Sequence, residues 1–173
     1  MTLQEIRGLI RDVPDFPQAG IVFKDITPLL ADPKGFASTI EQLAQRVGDY
    51  QADAILAIES RGFIFGSALA HHMGLPFHLV RKQGKLPREA FSMAYELEYG
   101  VDHLEVHRDA ISPNHRYLIV DDVIATGGTA EAVAKLVTQQ GATVAAFAFL
   151  IELVFLNGRD KLGAYPIESL IAY

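Results

Sequence analysis

The sequence predicts one α/β domain, with a central, mostly parallel and twisted sheet covered by helices on both faces. The predicted strands are continuous apolar runs without polar alternation, as expected for strands that are buried on both sides. Segments with the 3.6-residue period of amphipathic helices separate them, and this alternation is typical of parallel sheets with helical crossovers. The 173 residues contain no internal repeat, low-complexity tract or linker, so residues 1–173 are expected to form a single domain.

Helices and strands are predicted in a regular order along the chain. The first two helical patterns are LQEIRGLIRDV and PKGFASTIEQLAQRV, and the former carries its apolar face at Leu3, Ile6, Ile10 and Val13. The strand ADAILAIE then leads into the helix GFIFGSALAHHMG, which Gly74 closes. The strands PFHLVRK and RYLIVDDV come next, followed by the helix TAEAVAKLVTQQG, closed by Gly141, and the strand TVAAFAFLIEL.

A long insertion, residues 83 to 115, separates the second and third of these strands. It contains FSMAYELEYG, in which apolar and polar residues alternate, so a half-exposed hairpin strand is predicted. Phe91, Met93 and Tyr95 lie on its apolar side, and Glu96 and Glu98 lie on its acidic side. A solvated acidic face is the simplest interpretation of both glutamates.

Composition and charge exclude several classes of function. Half of the residues are hydrophobic and 21% are charged, as in ordinary globular proteins, and no apolar run approaches the roughly 20 residues that a membrane helix needs. The N-terminus is unlike a secretion signal and there is no cysteine, so we expect a cytoplasmic protein that does not associate with membranes. The net charge of −6 disfavours nucleic-acid binding, so an anionic ligand would need a local cluster of positive groups.

Two adjacent carboxylates and a glycine-rich loop end the third strand, at the edge where parallel sheets bind ligands. Asp121 and Asp122 would repel one another by about 1 to 4 kcal/mol, depending on burial, so hydroxyl donors, a divalent cation or basic groups must offset the repulsion. The loop ATGGT, residues 125–129, offers backbone amides at the start of a helix, where anions bind. A ligand with a phosphate at one end and vicinal hydroxyls at the other, such as ribose 5-phosphate, fits both halves.

Other phosphate-binding motifs do not fit this loop. No lysine follows the glycines as in G-x-x-x-x-G-K-[ST], and the spacing is not G-x-G-x-x-G. A tight strand-to-helix turn with an acidic start is the structural alternative. The combination of an apolar strand, paired aspartates and TGGT favours a binding site.

Two further segments supply positive groups for an anionic ligand. ESRG, residues 59–62, follows the first predicted strand, where Arg61 could bind two phosphate oxygens while Gly62 lets the backbone approach closely. RKQGKLPRE, residues 81–89, concentrates four cations in an acidic chain. The structural alternatives are a helix N-terminus with a surface arginine and a solvated loop.

VDDVIATGGT, residues 120–129, resembles the ribose-phosphate signature of the type I phosphoribosyltransferases. The rest of the chain is similar to one branch of them, the adenine phosphoribosyltransferases, over essentially its whole length. The matching stretches are FPQAGIVFKDITPLL (16–30), AIESRGFIFG (57–66), VRKQGKLPREAF (80–91), YELEYG (95–100), the signature, and IELVFLNGRDKL (151–162). The departures are conservative: Val-Ile inside the signature, and Lys24 where many members carry arginine.

The resemblance implies transfer of phosphoribose from 5-phosphoribosyl 1-diphosphate to adenine, giving AMP and diphosphate, with Mg²⁺ as the cofactor. It also implies the type I phosphoribosyltransferase fold, with a small hood (about residues 14–30) and a flexible loop (about residues 82–104). Closure of that loop would exclude water from the activated sugar. A homodimer is implied as well, in which Arg81 reaches the diphosphate in the neighbouring subunit.

The resemblance further assigns roles to single residues. Glu98 is implied as the general acid/base at the purine, with Tyr99 in the moving loop, and Arg61 and Lys85 act at the reaction centre. The residues expected to bind phosphoribose are Asp121, Asp122, Ala125, Thr126, Gly127, Gly128 and Thr129. Those expected to bind diphosphate are Glu59, Ser60, Arg61, Gly62, Arg81, Lys82 and Lys85. Those expected to bind adenine are Val22, Phe23 and Lys24, with Phe23 stacking on the purine.

Several alternatives stay open from the residues. A phosphoribosyltransferase for hypoxanthine or guanine fits the signature, but not VFKD, ESRGF and LEYG taken together. A regulator that senses phosphoribosyl diphosphate and binds nucleic acid would need a basic face or an added helix-turn-helix, for which the acidic chain has no spare segment. IVFKD could also be a purely structural edge strand. The ligands of Mg²⁺ are not assigned, because the histidines form no ligand pattern and substrate and water are expected to hold most of the ion.

Overall fold

The computed structural model describes residues 1–97, 100–163 and 165–173. Glu98 and Tyr99, which were predicted to act in catalysis, lie outside the described residues. In chain order the elements are α1 (Leu3–Gly8), β1 (Arg11–Pro14), β2 (Val22–Asp25), α2 (Thr27–Ala31), α3 (Pro33–Val47), β3 (Ala54–Ile58), α4 (Gly62–Met73), β4 (Phe77–Lys82), β5 (Ala90–Leu97), β6 (Gly100–His107), β7 (Arg116–Ile124), α5 (Gly128–Gln139), β8 (Thr143–Glu152), α6 (Arg159–Leu162) and β9 (Ile167–Ala172).

The described part of the chain forms a seven-stranded sheet in the order β5-β6-β4-β3-β7-β8-β9. Neighbouring strands pair in parallel along β4-β3-β7-β8-β9, whereas β6 pairs antiparallel with both β4 and β5. A separate two-stranded antiparallel ribbon joins β1 to β2. The predicted fold class, a mostly parallel sheet with helices, is therefore confirmed.

Both faces of the sheet are covered by apolar packing, as the unbroken apolar strands predicted. Leu56 and Ile58 of β3 pack with the apolar face of α5, and Ile55 and Ala57 of the same strand pack with α3 and α4. All five residues of β3 are buried. Because successive side chains of a strand point to opposite faces, a strand between two helical layers needs apolar residues at every position.

The helix boundaries also agree closely with the sequence pattern. Helix α3 spans the predicted stretch, and its first turn is capped by Asp32, whose Oδ1 accepts from the Gly35 amide at 2.8 Å. Gly74 ends α4 in the left-handed conformation, with φ of +68°. Gly141 has φ of +74° two residues beyond the end of α5.

The prediction of one helix from Leu3 to Val13 is wrong. Helix α1 ends at Gly8, and Val13 lies in β1, where it is opposite Phe23 of β2. Ile6 and Ile10 are buried as the helical period required. Pairing with a strand eleven residues further along the chain overrides the local preference of residues 11–14, and a helical period cannot reveal that partner.

The insertion between β4 and β7 folds as an antiparallel hairpin, β5 and β6, at the edge of the sheet. Phe91, Met93 and Tyr95 pack against the core, as the alternation in FSMAYELEYG predicted. The predicted flexible loop, about residues 82–104, includes β5 and more than half of β6, and the predicted hood, about residues 14–30, includes β2 and most of α2. None of the described helices is long and apolar enough to cross a membrane.

Candidate active site

The predicted site segments meet where β3 and β7 end. These strands are parallel neighbours, and their register places Ala57 opposite Val120. Glu59 and Asp122 therefore lie two residues beyond the same point on adjacent strands. Parallel pairing thus brings the ESRG segment next to the paired aspartates, which are far from it in sequence.

The two aspartates have different partners. Asp122 is buried, and its Oδ2 lies 2.7 Å from Nη2 of Arg61. Asp121 accepts a 2.8 Å hydrogen bond from the Asp122 amide through Oδ1. A Cβ at Gly62 would lie only 2.8 Å from that oxygen, which is too close for an ordinary contact. The absence of a side chain at Gly62 therefore makes room for Asp121, a role that the sequence did not indicate.

Both aspartates keep protons more tightly than ordinary carboxyl groups do. Burial, reinforced by the neighbouring charge of Asp122, raises the pKa of Asp121 well above its usual range. Burial also raises the pKa of Asp122, although Arg61 acts in the opposite direction. Cationic or hydroxyl groups of a ligand would relieve this unfavourable burial of charge.

The loop that follows the aspartates forms a cradle at the start of α5. Gly127 is the N-terminal boundary residue of the helix, with φ of +81°, and no side chain caps the helix there. The first amides of α5 are therefore available to an anion, at the positive end of the helix dipole. Residues 124–130 line a cavity of about 80 Å³ together with Asp121, Val123 and Phe149. Such a cavity suits a phosphate group, since whole ligands usually occupy several hundred Å³.

A second backbone segment supports the cradle from behind. A Cβ at Gly127 would clash with the carbonyl oxygen of Gly158, and one at Gly158 would clash with the carbonyl oxygen of Ala125. The segment with Gly158 is tied down by Glu152, which accepts from Nε and Nη2 of Arg159 at 2.6 and 2.7 Å. No role was predicted from the sequence for Glu152, Gly158 or Arg159. All three lie in the stretch IELVFLNGRDKL, which resembles the family.

Glu59 gathers the cations that were predicted to bind diphosphate. Its carboxylate accepts from Nζ of Lys85, from the Lys82 amide at 2.9 Å and from Nε of Arg81 at 3.3 Å. Burial alone would raise the pKa of Glu59, but these three donors together lower it. A carboxylate does not attract diphosphate by itself, so the contribution of Glu59 comes through the cations that it holds.

Other predicted residues are less closely joined to this cluster. The ammonium group of Lys82 lies 3.5 Å from Asp102 on β6, so only its backbone amide contacts Glu59. Ser60 and Thr126 are exposed beside the cluster and the cradle, respectively. The peptide bond between Glu59 and Ser60 is cis.

Arg61 also joins the site to β2, which carries the residues predicted to bind adenine. Its Cζ lies 4.8 Å from the centre of the Phe23 ring, and its Nη1 donates to the Lys24 carbonyl at 3.3 Å. Val22 is exposed at the start of the strand. The three predicted subsites therefore converge on one guanidinium group.

The side chains present suit a magnesium ion only in part. Among the described residues, no group of three or more histidine, aspartate or glutamate side chains could enclose a metal ion. Mg²⁺ commonly binds one or two carboxylates while substrate phosphates and water complete its shell, and Asp121 and Asp122 offer that number.

Comparisons with known proteins agree with this geometry. Residues 25–163 match the family described as "Phosphoribosyl transferase domain". Adenine phosphoribosyltransferase from Thermoanaerobacter pseudethanolicus is 54% identical over all 173 residues of both chains, and that from Synechococcus is 52% identical over 98% of this chain and 99% of its own. The crystal structure of the T. pseudethanolicus enzyme superposes with a TM-score of 0.97, at 53% identity over 99% of this chain and 100% of that one.

A solved structure of lower sequence identity also fits. Adenine phosphoribosyltransferase from Saccharomyces cerevisiae, complexed with adenine and an imino-altritol bisphosphate, superposes with a TM-score of 0.91 at 41% identity, over 97% of each chain. The fold, the strand-end cluster and these similarities over nearly the full length of each chain lead to one conclusion. The chain belongs to the adenine phosphoribosyltransferase family.

Proposed function

We propose that the site at the ends of β3 and β7 transfers phosphoribose from 5-phosphoribosyl 1-diphosphate to adenine, releasing diphosphate and forming AMP. The prediction of this function from the sequence is confirmed by the family and by relatives of that name over the whole chain. The structural observation that carries the assignment of residues is the position of Arg61. It joins Asp122 to the β2 strand and follows Glu59, the partner of the other cations, by two residues.

The phosphoribose end of the substrate fits the cradle and the aspartates. Backbone amides of residues 125–129 and the hydroxyl groups of Thr126 and Thr129 would bind the 5-phosphate. Asp121 and Asp122 would accept hydrogen bonds from the ribose hydroxyls. Because the sugar gains positive charge as the bond to diphosphate breaks, two carboxylates beneath it would stabilise the oxocarbenium-like transition state.

The diphosphate end fits the cations around Glu59. Arg81 and Lys85 both pair with Glu59, and Arg61, two residues further along the chain than Glu59, pairs with Asp122. On substrate binding, the diphosphate would replace the carboxylates as partner of these cations, which would then stabilise the negative charge of the leaving group. Ser60, Gly62 and the Lys82 amide complete the proposed subsite.

Adenine would bind between Phe23 and the sugar. The Phe23 ring would stack on the purine, and backbone groups of Val22 and Lys24 would recognise its edge. The S. cerevisiae relative, solved with adenine, is consistent with a base site in this fold. Glu98, outside the described residues, is proposed to remove the proton that adenine must lose as its nitrogen bonds to the sugar.

Mg²⁺ is proposed as the cofactor. When bound, it would neutralise charge on the diphosphate and make it a better leaving group. Asp121 and Asp122 are the described carboxylates that could approach it directly or through water.

A homodimer in the cytoplasm is also proposed. Ile64 on α4 and Leu79 on β4, the elements that flank the diphosphate cluster, are 36% and 37% exposed, and a second copy would cover them. Within a single chain, Arg81 already contacts its own Glu59 and the Lys85 carbonyl. Its proposed reach into the neighbouring site would require these contacts to break.

The function is tested by supplying phosphoribosyl diphosphate and Mg²⁺ with adenine, hypoxanthine or guanine separately, and measuring the nucleotide formed. AMP formation from adenine, without product from the other bases, is expected. Product from hypoxanthine or guanine instead would mean that the base specificity is assigned wrongly. Tight binding of phosphoribosyl diphosphate without any product would favour a regulator that senses this compound.

A further inference from the structure

The side chain of Lys24 is held on the side of β2 that faces away from the proposed base site. Its ammonium group lies 2.6 Å from Oδ1 of Asp12 and 3.8 Å from the centre of the Tyr173 ring. Only 11% of the side chain is exposed. Long cationic side chains usually extend into solvent, so this burial between a carboxylate and an aromatic ring indicates a specific contact.

The ribbon of β1 and β2 needs such a contact. Two-stranded ribbons are marginally stable by themselves, and this one is separate from the main sheet. Asp12 lies opposite Lys24 in the ribbon, so their ion pair joins its two strands. The contact between Lys24 and Tyr173 joins the ribbon to the body of the domain.

Tyr173 is itself firmly attached to the sheet. Its amide donates to the Glu152 carbonyl and its carbonyl accepts from the Val154 amide, both at 2.9 Å. Arg7 donates to the Ala172 carbonyl at 2.7 Å, and its guanidinium carbon lies 4.0 Å from the centre of the Tyr173 ring. The ring therefore has a fixed position relative to the C-terminal end of β8, which leads into the segment that supports the phosphate cradle.

Holding Lys24 determines the position of its neighbours. Phe23 and Lys24 are consecutive on a strand, so their side chains point to opposite faces. If the Lys24 side chain is fixed on one face, the Phe23 ring and the Lys24 carbonyl are fixed on the side of Arg61. Loss of the contact would let the ribbon move and would increase the entropic cost of binding the base.

We infer that Tyr173 and Asp12 are positioning residues for the purine: they hold Lys24 and thereby fix the strand that contacts adenine. This inference rests on the proposed function, because it takes β2 as the base-binding strand. It predicts that distant substitutions affect adenine and not phosphoribosyl diphosphate.

The test compares Tyr173→Leu, Tyr173→Phe and Lys24→Met with the wild-type chain. KM and kcat are measured for each substrate while the other is saturating. Tyr173→Leu and Lys24→Met should each raise KM for adenine roughly three- to tenfold, the range for losing one cation–π contact, while KM for phosphoribosyl diphosphate stays within about twofold. Tyr173→Phe should resemble the wild type, because it keeps the aromatic ring.

Two controls make the result specific. Tyr50→Leu removes another tyrosine that contacts β9, through a 2.7 Å hydrogen bond to Glu168, but at the opposite end of the sheet. It should leave KM for adenine unchanged. The double variant Lys24→Met/Tyr173→Leu should be no worse than Lys24→Met alone, since that substitution already removes the contact with Tyr173.

Failure of the inference and failure of the proposed function give different results. If Phe23→Ala raises KM for adenine but Tyr173→Leu and Lys24→Met do not, the positioning role is wrong and the base site stands. If both KM values rise together in Tyr173→Leu, the residue is merely structural, which also overturns the inference. If Tyr173→Leu does not fold, Lys24→Met decides alone. If Phe23→Ala leaves KM for adenine unchanged, the base site on β2 is wrong and the inference falls with it.

Discussion

The guanidinium of Arg61 lies 2.7 Å from the carboxylate of Asp122, so a cation of the proposed diphosphate site pairs with a carboxylate of the proposed ribose site. The same group donates to the Lys24 carbonyl and lies over the Phe23 ring. A buried ion pair of this kind is weak evidence for stability, because desolvation offsets much of the attraction. Its position at the junction of three subsites points to function, and the predictions below test it.

Asp122→Asn should lower the rate of AMP formation by about tenfold to a thousandfold, the usual effect of removing one group that stabilises transition-state charge. The substitution removes the carboxylate beneath the sugar and leaves Arg61 without its anionic partner. The rate is measured with both substrates saturating. Asp53→Asn is the matched control, because Asp53 accepts from the Arg116 amide at the amino end of the sheet. An undiminished rate in Asp122→Asn would contradict the role of the pair.

Asp121→Asn should make the folded chain more stable near neutral pH while it lowers activity. Burial and the charge of Asp122 raise the pKa of Asp121, so the folded chain binds this proton more tightly than the unfolded chain does. Stability therefore falls as pH rises from the ordinary aspartate range through the raised pKa. The substitution removes this loss of folding stability. The repulsion between two close carboxylates contributes about 1 to 4 kcal/mol to it.

The measurement is thermal unfolding of both proteins from about pH 4 to about pH 8. The advantage of Asp121→Asn should be largest at the upper end of the range and shrink as pH falls. An advantage independent of pH would mean that titration of Asp121 is not its cause. A less stable variant at neutral pH would contradict the prediction outright.

Gly158→Ala should weaken binding of phosphoribosyl diphosphate, although no role in binding was predicted for Gly158. A Cβ at Gly158 would clash with the Ala125 carbonyl, so the cradle would have to shift. The expected change is a rise in KM for this substrate of roughly tenfold or more, with a loss of about 1 to 3 kcal/mol in stability. Gly8→Ala is the control, because a Cβ there meets no atom within 4 Å. Equal KM values for the two variants would argue against the supporting contact.

Mixing two impaired variants should raise activity above that of either variant alone if Arg81 acts across a dimer. Arg81→Ala and Asp122→Asn are unfolded together and refolded, or exchanged at low concentration, and the rate is measured against each alone. Each heterodimer would contain one site with Asp122 from one chain and Arg81 from the other, so about a quarter of all sites should be intact. If Arg81 serves its own site, where it contacts Glu59, no activity should return.

Glu98→Gln should lower turnover and leave the affinity for phosphoribosyl diphosphate mostly intact. Glutamine keeps the size of the side chain but cannot accept the proton from adenine. Turnover is followed as AMP formed, and affinity by titration of the substrate without base. Glu96→Gln, two residues earlier, is the natural comparison, since Glu96 was interpreted as a solvated position. Lost binding with normal chemistry would mean that Glu98 has another role.

Much of the fold and of the proposed site could be predicted from local pattern. The apolar strands, the helix α3 and the capping glycines Gly74 and Gly141 depend on neighbours within a few residues, so periodicity and turn chemistry reveal them. The paired aspartates and ATGGT are also close together in the sequence, so the motif can be recognised without knowledge of the fold. Local pattern therefore predicts the order of the helices and strands along the chain and the chemistry at the end of β7.

The assembled fold creates contacts that no local pattern contains. The chain leaves α1 for β1 because residues 22–25 offer a partner strand. Glu59 collects Arg81 and Lys85 because β3 and β4 end side by side, and Gly158 meets Gly127 because β8 returns next to β7. Tyr173 reaches Lys24 from the other end of the chain. The pairing and register of distant strands fix all these contacts, and register is a property of the assembled sheet rather than of any one segment.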